Sequence, residues 1–97
     1  MHVSLRRYQG LKSTSAFCRE IELSFLPELR RLPGFISYYA VDAGGGSLFT
    51  VSVFSTEMMA SESTRLAADW IKEHFADWKL AEPEVVSGVS SIAVSVR

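Results

Sequence analysis

Asparagine is absent from this chain, cysteine occurs once, and neither sign of charge dominates. The lone Cys18 excludes an internal disulfide and leaves no thiolate cluster for zinc or iron and sulfur, so a reduced compartment is expected. Ten Lys and Arg against eleven Asp and Glu give a net charge of -1, which provides no basic field to attract nucleic acid or anionic lipid. No apolar run approaches the ~18 residues of a membrane span, and the opening MHVSLRRYQG has no apolar core of signal-peptide length. A cytoplasmic protein with no membrane and no nucleic-acid partner is the expectation. Gly44 to Gly46 lack the Lys and Ser or Thr that a phosphate loop needs, and they precede a strand instead of a helix. No group of residues has metal-ligand spacing, so no metal and no cofactor are expected.

What is present is enough for one core. The 97 residues are 47% hydrophobic and 22% charged, the composition of a single folded domain over 1–97. Val3, Leu5 and Arg7 alternate with Ser4, Arg6 and Tyr8, the period of a first strand. Ser13, Thr14 or Ser15 can cap a helix whose apolar stripe is Phe17, Ile21, Phe25, Leu29 and Leu32. Pro27 lies inside that stripe and predicts a kink or break near Ser24; Pro33 and Gly34 end the helix. Phe35 to Val41 and Leu48 to Phe54 read as two strands, joined by a hairpin through Gly44, Gly45 and Gly46. Thr56 can cap a second helix with Met59, Ser63, Leu66, Ala67, Trp70, Ile71, His74, Phe75 and Trp78 inward, and Val85 to Val96 reads as a long final strand.

The order is βαββαβ. It predicts an α+β fold of the ferredoxin-like type, an antiparallel sheet with two helices on one face. The other face of such a sheet is ordinarily polar. Here Phe35, Tyr39 and Val41 fall on one face of the second strand and Ile36, Tyr38 and Ala40 on the other, while the third strand sets Phe49, Val51 and Val53 against Leu48 and Phe54. Both faces read as buried, which predicts a homodimer that covers the second face with a second copy.

In FLPEL (25–29), LPGF (32–35), Tyr38, Tyr39, VSVF (51–54) and Thr56, Glu57 and Ala60, the chain resembles the dimeric α+β barrel superfamily and its small antibiotic-biosynthesis-monooxygenase-like members. These motifs mark helix stops, strands and helix starts. The resemblance implies a pocket between sheet and helices, and either a cofactor-independent oxygenase or a binder of a small aromatic ligand, with a non-enzymatic dimerisation or ligand-sensing module as the alternative. It departs from the haem-degrading branch, whose pattern joins Asn, His and Trp, and Ser63 stands where a histidine is often found.

No residue is assigned to catalysis. Tyr38, Tyr39, Trp70 and His74 are the candidate ligand-binding residues: the tyrosines as hydroxyl donors, Trp70 and His74 as helical neighbours four residues apart. Each also has a plain packing role. Arg6 and Arg7 fall on opposite faces of the first strand, so one at most enters a given cavity and the other meets solvent or an interface. An RNA-recognition motif has the same element order, but SLFTVSVF carries no basic, exposed aromatic pattern.

Overall fold

A computed structural model describes residues 1–96. Four strands, β1 (His2–Tyr8), β2 (Phe35–Gly44), β3 (Ser47–Phe54) and β4 (Glu84–Val89), form one antiparallel sheet in the order β2-β3-β1-β4. The helical segments α1 (Thr14–Glu20), α2 (Leu26–Arg30) and α3 (Glu57–His74) supply the second layer. This is the ferredoxin-like βαββαβ arrangement read from the sequence.

The local chemistry accounts for the element ends. Ser13 accepts from Ala16 N–H at 3.2 Å and Thr56 from Met59 N–H at 3.3 Å, which caps α1 and α3. Pro27 has no N–H to return to the preceding turn. The chain answers with a π-helical segment over Ile21–Phe25, in which the N–H of Leu26 reaches back to the Ile21 carbonyl, so the expected break near Ser24 is a widened turn. At the hairpin, Gly45 (φ +62°) and Gly46 (φ +77°) occupy the two turn positions that disfavour a side chain. Gly46 is also pinned from outside, since an added Cβ would lie 2.9 Å from the Leu11 carbonyl oxygen.

Strand register sorts the residues into faces. Ser4, Arg6 and Tyr8 of β1 and Leu48, Thr50, Ser52 and Phe54 of β3 point to the helices and are buried. There they meet Phe17, Ile21, Phe25, Leu29, Ala60, Ala67, Trp70 and Phe75. The opposite face carries Val3, Leu5 and Arg7 of β1, Phe49, Val51 and Val53 of β3, Tyr39 and Val41 of β2, and Val86 of β4. Leu5 is 41% exposed, Tyr39 59% and Val86 67%, so this face is apolar and uncovered in one chain.

Two expectations are corrected. Phe35 does not share a face with Tyr39: a register shift between Phe35 and Ser37 turns its ring inward, 5.7 Å from that of Phe54. The final strand ends at Val89 and does not run to Val96. Its ladder with β1 ends where Val89 pairs with His2, one further bond joins Ser90 N–H to the Met1 carbonyl, and Ile92 and Val94 are exposed despite their strand-like alternation.

Candidate functional site

Alternation along β1 places one arginine on each side of the sheet. Arg7 lies on the uncovered face, 5.5 Å from the Phe49 ring centre and 3.7 Å from the Glu84 carboxylate. Arg6 goes into the interior and keeps 2% of its surface exposed. Its Nη1 donates to Ser52 Oγ at 3.3 Å, and its Nη2 donates to Ser63 Oγ at 3.1 Å and Thr64 Oγ1 at 3.0 Å. The Ser63 hydroxyl in turn donates to the Ala60 carbonyl at 2.6 Å, which leaves its lone pairs for the guanidinium.

Every acceptor in this set is a neutral hydroxyl. Among the described residues no carboxylate pairs with Arg6, and its Nε has no hydrogen-bond partner. The hydroxyl of Thr50, which is directly across the ladder from Arg6, is buried and also lacks a partner of hydrogen-bond geometry, although it lies close enough to the Tyr38 phenol to favour its ionised form. Burial lowers the pKa of the guanidinium, yet an arginine remains charged at neutral pH. Burial pushes the Tyr8 and Tyr38 phenols up, so both are protonated donors beside the cation.

Arg6 lines a cavity of about 360 Å³ between the sheet, α3 and the segment leading into β4. Tyr8, Ala67, Ile71, Leu80 and Val85 give it apolar walls, and Lys72 and Glu82 add one charge of each sign to the lining. The volume lies within the range of small-molecule sites. A larger depression of about 680 Å³ lies between α1 and the end of α3, lined by Ser15, Arg19, Glu20, His74 and Phe75. It is an open surface groove outside the sheet–helix interior, so the smaller cavity is the better candidate site.

The four residues singled out in the sequence are spread over several places. Tyr38 faces the interior beside β3, within electrostatic reach of Arg6. Tyr39 is on the uncovered face. Trp70 is 4% exposed in the aromatic core, its ring 5.3 Å from that of Phe25 and 5.4 Å from that of Phe17. Its indole N–H donates to Ser24 Oγ at 2.7 Å, and this hydroxyl lies 3.0 Å from the Glu20 carbonyl and 3.1 Å from the Glu20 carboxylate. His74 is at the surface with Nδ1 3.4 Å from the same carboxylate. Trp70 and His74 are neighbours, with ring centres 5.7 Å apart, but neither lines the 360 Å³ cavity. Replacing Ser24 with Ala strands the buried indole N–H and is expected to cost about 1–3 kcal/mol, read as a lowered melting temperature.

Alternation alone puts Arg6 and Arg7 on opposite faces of β1 without saying which of them meets the helices. A signal was available: Ser4, Arg6 and Tyr8 share one side of β1, and Thr50 and Ser52 share one side of β3, so a polar strip crosses both central strands. Nothing in spacing alone says that this strip faces the helices. No group of three or more His, Cys, Asp or Glu residues able to hold a metal ion occurs among the described residues, and no helix is long and apolar enough to cross a membrane.

No family model matches the chain, and no curated protein sequence matches it. Solved structures do. A candidate antibiotic biosynthesis monooxygenase from Nitrosomonas europaea superposes with a TM-score of 0.73 at 14% identity, covering 97% of this chain and 93% of its own. SnoaB, a cofactor-independent oxygenase from Streptomyces nogalater, gives 0.66 at 12% identity, covering 96% of each chain. A monooxygenase from the gene ActVA-Orf6 of Streptomyces coelicolor, solved with the ligand nanaomycin D, gives 0.64 at 14% identity, covering 99% of this chain and 92% of its own. The fold is therefore that of the antibiotic-biosynthesis-monooxygenase-like proteins. Identities this low show the fold alone.

Proposed function

We propose that this protein binds a small aromatic molecule in the cavity beneath α3 and acts on it as a cofactor-independent oxygenase, working as a homodimer. The observation that carries the reading is the cavity itself: about 360 Å³, apolar-walled, with a few polar groups converging from β1 and α3. The oxygenases of the same fold support it. In such a reaction one atom of dioxygen enters the substrate as a carbonyl oxygen and the other leaves as water, the two hydrogens of that water and all four electrons coming from the substrate, as when a ring CH2 becomes C=O. The protein's part is to hold the ring, exclude water and donate hydrogen bonds from Tyr8 and Arg6, both in the cavity lining. The homodimer is supported by the uncovered apolar face that Leu5, Val51 and Tyr39 share.

One observation favours the second reading, a non-enzymatic ligand sensor. Glu82 is the only carboxylate in the cavity lining and no imidazole is there, so a general base is poorly provided. A panel of hydroxylated naphthoquinones and anthraquinones tests both. Binding is expected to raise stability by about 2.7 kcal/mol at a ligand concentration one hundred times Kd, visible as a higher melting temperature. Oxygen uptake with a bound reduced aromatic supports the oxygenase; binding without uptake supports the sensor. A panel in which no member shifts the melting temperature removes both.

A further inference from the structure

We infer that the ligand is an anion, a carboxylate or an ionised phenol or enol on an apolar body, and that Arg6 is the residue that receives its charge. The inference rests on the cavity being a binding site and adds the sign of what it binds. A buried cation is costly unless a counter-charge or a full set of hydrogen bonds replaces its water. Arg6 has three neutral hydroxyls, an Nε with no partner and no carboxylate. Lys72 and Glu82 offset one another in the lining, while Tyr8 and the nearby Tyr38 are neutral, so the charge left over at the site is that of Arg6. Three of the five guanidinium N–H groups are taken by hydroxyls, which leaves Nε–H and one hydrogen of Nη1 for an anionic oxygen, and such charge-assisted bonds are roughly twice as strong as neutral ones.

Two probes of the same shape separate charge from fit: 2-hydroxy-1,4-naphthoquinone, ionised at neutral pH, and its neutral 2-methoxy counterpart. The wild-type protein is expected to bind the ionised probe about tenfold more tightly or better, the scale of one charge-assisted hydrogen bond. Arg6→Met should erase the difference between the two probes. Lys72→Met should keep it. Equal affinity of the two probes for the wild type, or a preference that survives Arg6→Met and disappears in Lys72→Met, overturns the assignment but leaves the cavity a binding site. Failure of both probes, with the rest of the quinone panel, removes the binding reading itself. Should Arg6→Met give no cooperative melt, Lys72→Met, in which Arg6 is the one cation left in the described lining, decides through the visible spectrum of the bound 2-hydroxy probe. Its ionisation moves to lower pH than in water if Arg6 receives the anion, and stays or moves up if it does not.

Discussion

Phe17→Ala is expected to cost about 3–5 kcal/mol, a large part of the ~5–15 kcal/mol that holds a domain of this size together. The ring has no exposed surface and touches four others, with centre distances of 5.3 Å to Tyr8, 5.4 Å to Trp70, 4.8 Å to Phe75 and 6.2 Å to Trp78. It is the point where β1, α1, the end of α3 and the turn after it meet, so the space left by Ala cannot be closed by moving one element. At about 4–8 °C per kcal/mol, the melting temperature should fall by roughly 12 °C or more, followed by circular dichroism. A fall of only a few degrees would mean that the aromatic cluster rearranges around the gap and is not a rigid centre.

The second large effect concerns assembly. Val51 is flanked across the ladders by Leu5 and Tyr39, at the middle of the uncovered sheet face. Val51→Asp puts a carboxylate there that water solvates in a single chain. A symmetric pair would have to bury two such charges against an apolar surface, at several kcal/mol each, raising the dissociation constant roughly a thousandfold or more. The variant should therefore sediment as a folded monomer at micromolar concentration where the wild type sediments as a dimer. A wild type that is itself monomeric at that concentration, or a variant that remains dimeric, would show that something else covers this face.

The sequence carried the element order because breakers and periodicities agree at each step: Ser13 and Thr56 at helix starts, Gly45 and Gly46 at the hairpin, alternation on β1 and β3. It misplaced Phe35 because a bulge is a matter of pairing with β3, which the side chain of Phe35 does not announce. It extended the last strand to Val96 because alternation records a willingness to pair and says nothing of whether a neighbour exists. The candidate site was less legible. His74 belongs to the inward pattern of α3 by spacing, but the backbone leaves helical geometry at Phe75 (φ -130°), and it is the Phe75 ring that turns into the core. Arg6 looked like half of an ordinary pair until the helices showed which half of β1 they cover.

The π-helical turn at Ile21–Phe25 explains a peculiarity of the spacing. Phe17, Ile21, Phe25 and Leu29 are each four residues apart, and all four are buried. On a regular α-helix, steps of four overshoot a full turn by about 40° each, so Leu29 would have drifted about 120° around the axis from Phe17. A wider turn rotates less per residue and absorbs part of that drift, which lets one strictly four-spaced set of side chains stay against one flat sheet. Deleting a single residue between 21 and 25 would restore the ordinary pitch with Leu29 eleven residues from Phe17, about 20° around a regular helix, so the shortened helix should still turn Leu29 to the core.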